Sequence, residues 1–186
     1  MREEIERLFS GLLGKISDQD LRQKVVQAWV RAAEAGGWKP GELKSIPFTL
    51  LTETHGQNLI QHTIAVTEGA LGLARALTEY ADPPYSINTE WLIAGGMLHD
   101  VGKLLEIERY EGGFRKSHWG RCARHPISGA ALATELGLPL EVVNAIACHS
   151  REGDGRPQRI ETVLLHQADF ACFNPLVMLE KGMLIT

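Results

Sequence analysis

Apolar residues recur along this chain at intervals of three and four rather than two, the spacing of a helix face. Two such patterns open the chain, over residues 3–13 and 18–35. The second is capped by Ser17 or Asp18 and stopped by Gly36-Gly37. A loop carrying Pro40, Gly41 and Pro47 follows, then a long amphipathic helix over about 57–80, closed by Asp82-Pro83-Pro84. Asn88 or Thr89 caps a helix over 89–100 that ends at Gly102. Residues 108–126 are polar and glycine-containing and read as a functional loop. Helices are predicted again at 127–136, 139–149 and 159–172, with a loop at 150–158 and a further short helix over 174–186. No run sustains the alternation of a strand, although 46–51 (IPFTLL) is short enough to be ambiguous. The expected fold class is all-α, a helical bundle. Residues 1–45 are expected as a short helical N-terminal appendage packed on a main domain of 46–186, since 45 residues alone bury too little surface to be stable.

The chemistry shows where polar residues interrupt apolar faces. His62 lies on the stripe Leu59, His62, Val66, Ala70, Leu73, Leu77, and Asp169 shares a face with Leu165, Cys172 and Phe173. A carboxylate buried on such a face is costly unless it is paired or coordinates a cation. His99-Asp100 follow the apolar run LIAGGML at a helix end, His149 ends the run VVNAIAC, and His125 precedes Pro126 at a helix start. Adjacent helical residues diverge by about 100°, so His99 and Asp100 reach one site only where the backbone turns. Any one of these histidines alone is an ordinary core histidine or helix cap. The ordered set is not. Imidazoles and carboxylates together suit divalent Mn, Fe, Co, Ni, Zn or Mg.

Composition narrows the setting. The 186 residues carry 19 Lys+Arg against 23 Asp+Glu, a net charge of −4, which argues against a broad basic nucleic-acid footprint. The cysteines Cys122, Cys148 and Cys172 are odd in number and far apart, so neither a disulfide scaffold nor a zinc ribbon is suggested. The N-terminus lacks an apolar signal region and no stretch approaches a membrane span. The expectation is a cytoplasmic enzyme or regulator.

The order His62 … His99-Asp100 … Asp169, with LHDVGK at 98–103, resembles the HD superfamily of metal-dependent phosphohydrolases over roughly residues 55–175. His125-Pro126 and His149 extend the likeness to its dinuclear subset. That resemblance implies one ion on His62, His99, Asp100 and Asp169, and a second on His125, His149 and a shared Asp100. It further implies hydrolysis of a phosphomonoester or phosphodiester, in a nucleotide, by a metal-activated water. Lys103, next to the catalytic Asp100, is then the candidate phosphate contact, and Arg121, Arg124 and Arg151 flank the histidines as candidate substrate clamps. After His149 the chain reads SREGDGRP rather than the second His and the Gly-Tyr-Pro of cyclic-dinucleotide phosphodiesterases, which counts against that activity. A diiron oxygenase on the same ligands, a non-catalytic signalling or ligand-binding domain and an RNA 3′-end nuclease are the alternatives; acidic charge disfavours the last. The expected partner is a small phosphorylated substrate, with no membrane.

Overall fold

A computed structural model describes residues 1–185. Helix α1 (Arg2–Leu8) and the single turn α2 (Ser10–Leu13) lead into α3 (Gln19–Ala35). Asp18, one of the two expected caps, accepts the Asp20 and Leu21 amides and starts α3. A 3₁₀ turn at Leu43–Ser45 then precedes α4 (Leu59–Tyr80). That long helix begins in a reciprocal capping box, with Asn58 accepting the Gln61 amide and Gln61 accepting the Asn58 amide. Helix α5 (Thr89–Leu98) is capped by Asn88. Of the predicted stripe on α4, Leu59, His62, Val66 and Ala70 are buried, but Leu73 is 40% exposed, because the last turns of the helix run past the bundle.

One hydrophobic core joins the N-terminal helices to the rest. Ile5, Phe9, Trp29 and Trp38 pack with Ile93, Met97, Leu98 and Val142. The polar edges of both tryptophans are satisfied by backbone: Trp29 Nε1 donates to the Met97 carbonyl (2.9 Å) and Trp38 Nε1 to that of Leu104 (2.7 Å). Both bonds grip the segment that carries His99-Asp100. A second, smaller core of Val66, Ala70, Leu92, Ala145, Leu164 and Leu165 fills the space between α4, α5, α9 (Leu140–Cys148) and α10 (Ile160–Glu180). Here Gly96 matters sterically. A Cβ on it would lie 2.6 Å from Thr67 Oγ1 and 3.0 Å from Leu165 Cδ2, so α5 approaches α4 and α10 this closely only without a side chain.

Two expectations need correction. Residues 108–126 are not an irregular loop. After a turn of helix α6 (Lys103–Glu106), β1 (Ile107–Tyr110) pairs antiparallel with β2 (Gly113–Lys116), Ile107 opposite Lys116, and α7 (His118–Cys122) leads into α8 (His125–Glu135). Four-residue strands are too short for alternation to show, although Glu111-Gly112-Gly113 is a recognisable hairpin turn signal. Among the described residues the chain is therefore helical with one small hairpin. Nor does the helix predicted at 159–172 stop there: α10 runs on through Pro175 to Glu180, and the helix expected over 174–186 is its continuation, with residue 186 outside the description. A mid-helix proline forfeits a hydrogen bond, but α10 lies along α4, and that packing outweighs the local preference. Among the described residues no helix is long and apolar enough to cross a membrane.

Candidate metal centre

The six predicted ligands meet in the middle of the bundle. His62 comes from the buried face of α4, and His99-Asp100 follow the last residue of α5, where the turn swings both side chains inward. His125 opens α8, His149 follows the last residue of α9, and Asp169 points in from α10. Gly102 permits the approach of α8: a Cβ there would stand 2.2 Å from the His125 carbonyl oxygen.

The two carboxylate oxygens of Asp100 face different histidines. Oδ2 lies 3.3 Å from His62 Nε2 and 3.4 Å from His99 Nε2. Oδ1 lies 3.2 Å from His125 Nε2 and 3.7 Å from His149 Nε2. Asp169 Oδ1 sits 3.0 Å from His62 Nε2. These atoms gather without satisfying one another: both ring nitrogens of His62, Nε2 of His99 and of His149, and Asp100 Oδ1 are buried without a hydrogen-bond partner. Several unpaired donors and acceptors buried in one place would be costly in a finished core. Triplets formed by His62, His99 and Asp100, by His99, His149 and Asp169, and by Asp100, His125 and His149 each converge closely enough to hold an ion. The donor set therefore fits divalent metal.

Behind the ligand atoms, the far ring nitrogens are mostly tied. Nδ1 of His99 donates to the Gly96 carbonyl (2.6 Å) and Nδ1 of His149 to that of Ile146 (2.9 Å). Both fix the tautomer that turns an Nε2 lone pair inward. His125 instead donates through Nδ1 to the Glu106 carboxylate (2.8 Å). His62 is held by stacking, its ring 4.2 Å from that of Phe48 and 15° from parallel.

Charge is tuned by the same contacts. Burial alone would raise Asp100, but the Lys103 ammonium and the neighbouring histidines outweigh it and hold the carboxyl well below its usual range. Burial likewise opposes ionisation of Asp169, yet the close approach of the His62 imidazole and the proximity of His99 bring it to about 2. For His125 burial dominates and lowers the imidazole to about 4, against the pull of Asp100 and Glu106, so it is a neutral donor at neutral pH. His62 moves the other way: burial opposes its charge, but contacts with Asp100 and Asp169 prevail and raise it.

The predicted cations are placed less uniformly. Lys103 Nζ reaches Asp100 Oδ2 at 2.6 Å and also donates to the Phe48 carbonyl, so it belongs to the centre. Arg124 pairs with Glu152 at 2.9 Å, joining the segments that carry His125 and His149, and Arg151 is exposed in the 3₁₀ turn after His149. Arg121 is exposed on α7 and donates to the Lys116 carbonyl. Three contributors were not singled out in the sequence. Glu106 carried a signal, a carboxylate inside the apolar run LLEI. Phe48 and Glu152 carried none, because only the tertiary fold brings them here. His166 of α10 donates Nδ1–H to the His149 carbonyl (2.8 Å) and so braces the backbone of that candidate ligand.

The sequence profile of the HD domain matches residues 59–170, more than half the chain and the stretch that contributes all six ligand candidates. A dihydroneopterin 2′,3′-cyclic phosphate phosphodiesterase of Methanocaldococcus jannaschii is 30% identical over 172 residues, 90% of this chain and 68% of that protein. Ribonuclease Y of Thermus thermophilus is 35% identical over 126 residues, and that of Thermosipho melanesiensis 29% over 134. The chain spans only 17% and 22% of those two enzymes. No solved structure matches. On the matched segment and its buried His/Asp cluster, the chain belongs to the HD-domain family as a metal-dependent phosphohydrolase.

Proposed function

We propose that this chain hydrolyses a phosphodiester in a small, nucleotide-like substrate, a cyclic phosphate being the leading class, with two divalent ions shared through Asp100. His62, His99, Asp100 and Asp169 would hold one ion, and Asp100, His125 and His149 the other. The observation that carries this reading is the division of the Asp100 oxygens between two histidine sets. When bound, such ions lower the pKa of water toward neutrality and offset charge on phosphate oxygens. The protein's own groups do the rest. Asp169 and Lys103 are the most accessible members of the cluster, at 16% and 13%, against 7% or less for the others. Substrate then approaches on their side, where the Lys103 ammonium adds positive charge for a phosphate. Water adds across a P–O bond and the leaving oxygen takes the proton. Dry walls of Phe48 and the core exclude competing solvent.

The choice of a cyclic phosphate is supported by the name of the Methanocaldococcus relative, which aligns over most of this chain. A second reading, cleavage of RNA, draws on the ribonuclease Y relatives, but the net charge of −4 offers no extended basic track. A panel of 2′,3′-cyclic nucleotides, nucleoside monophosphates and short single-stranded RNA, with Mn²⁺ or Co²⁺ supplied, separates them. Ring opening of the cyclic nucleotides, abolished in Asp100→Ala, is the expected result. Cleavage of RNA alone favours the second reading. A metal-replete protein that leaves every phosphoester intact yet consumes oxygen with an organic substrate would overturn both.

A further inference from the structure

Among the six candidate ligands, each imidazole whose ring is fixed by a backbone carbonyl owes that contact to its own helix. His99 and His149 stand at helix C-termini, where the carbonyls of Gly96 and Ile146 three residues earlier lie within reach of Nδ1. His125 has no such recourse. It is the first residue of α8, so no turn of helix lies behind it, and its backbone N–H is among the unpaired donors of a helix start. Arg124 at the cap position makes no side-chain capping bond.

Glu106 supplies what the helix cannot. Its Oε2 accepts both the backbone N–H and the Nδ1–H of His125, each at 2.8 Å. One oxygen therefore caps α8 with negative charge where the helix dipole favours it, and also sets the imidazole's tautomer and direction. Nε2 is left turned toward Asp100 Oδ1 at 3.2 Å. The carboxylate is itself held. It is 7% exposed, with Lys116 Nζ 3.5 Å from Oε1, and Ser117 N–H donates to the Glu106 carbonyl at 2.8 Å. Gly120 of α7 packs directly over it, since a Cβ there would come within 2.4 Å of the Glu106 carbonyl oxygen and 2.7 Å of its Cγ. The hairpin and α7, which contribute no ligand, thus close around one side chain.

We infer that Glu106 is a positioning residue for the half of the centre built on His125 and His149, acting through His125 and not on the other half. The inference rests on the proposed reading of His125 as a ligand. A carboxylate behind a ligating imidazole raises its basicity as well as aiming it, and loss of such a partner costs about 10- to 100-fold in metal affinity. Neither His62, His99 nor Asp169 contacts Glu106, so the ion on that side has no reason to respond.

Equilibrium titration of chelator-stripped protein with Mn²⁺, read by bound-metal analysis, tests this on the full chain. Wild type is expected to take two ions, His125→Ala one, and Glu106→Ala one tight ion with the second weakened about 10- to 100-fold. Glu106→Gln keeps the shape and one acceptor oxygen, so it should fold as wild type and fall between. Circular dichroism of the stripped proteins checks that folding, and Glu106→Gln decides the matter if Glu106→Ala proves unstable. Two tight ions in Glu106→Gln and Glu106→Ala, with one in His125→Ala, would overturn the inference alone. A wild type that takes one ion regardless of His125 would overturn it together with the two-ion reading.

Discussion

The two halves of the proposed centre share Asp100 yet are built differently. The half on His62, His99 and Asp169 sits on α4, α5 and α10, where ligands occupy buried helix faces or a helix end and the helices pack through a dry core. The half on His125 and His149 sits at one helix start and one helix end. It depends on groups from outside those helices: Glu106 behind His125, His166 behind the His149 backbone, and the Arg124–Glu152 pair joining their segments. Regular helix packing makes a ligand set that forms whenever the fold forms. Helix termini make one that needs extra carboxylates and loops. The first half should therefore resist perturbation around its rim, and the second should not.

The largest effect tests what they share. Asp100→Ala removes the one side chain common to both halves, so metal analysis should show both ions lost or greatly weakened and phosphoester hydrolysis reduced by about 10³-fold or more. Retention of one tight ion in this variant would mean the halves are independent and the bridging role of Asp100 is wrong. Metal removal comes next. An ion at a free concentration of 100 times its dissociation constant stabilises the folded chain by about 2.7 kcal/mol. For a chain of this length, chelation should then lower Tm by roughly 5–10 °C. A scan with and without chelator that superimposes would show that the buried, unpaired nitrogens have found other partners.

Substitutions in the supporting shell divide the halves. Gly96→Ala forces a methyl against Thr67 and Leu165, on the helices that carry His62 and Asp169, and should cost about 2 kcal/mol in chemical denaturation. It should also weaken the first ion. Gly120→Ala presses on Glu106 instead, and only the second ion should respond. If the two variants give the same pattern of metal loss, the distinction between the halves fails.

That division also explains what could be read from sequence. His62 and Asp169 stood out because a polar residue on a 3.6-residue apolar stripe is conspicuous, and His99-Asp100 because an apolar run ends on them. The helices holding them were legible for the same reason, down to Asp18 and Asn88 as caps. The surroundings of the ligands, in the second half above all, were not. The hairpin is four residues per strand, the role of Glu106 depends on where α8 begins, and Phe48 reaches His62 from a segment with no periodicity. Lys103 was legible by position, but its contacts with Asp100 and the Phe48 carbonyl were not. Local pattern reports which residues are out of place; only tertiary packing reports which ones hold them.

The smallest effect expected is a difference of slope. Without metal the histidines of the two halves respond oppositely to pH. His125 is lowered to about 4 from an ordinary 6.5, so between those values the unfolded chain binds the proton that the folded chain refuses. Its contribution favours folding above pH 6.5 and is lost as pH falls toward 4. His62 is raised, so its contribution is fully present below 6.5 and is lost as pH rises through its folded value. In chelator-treated protein, His125→Asn should flatten the acid-side fall of Tm between pH 6.5 and 4. His62→Asn should leave that fall unchanged and instead flatten the loss of Tm as pH rises above 6.5, where the His62 contribution disappears. A His62→Asn variant whose Tm still falls above pH 6.5 as steeply as that of wild type would mean that His62 is not held as a proton-bearing partner of Asp100 and Asp169, and the electrostatic contrast between the halves would go with it.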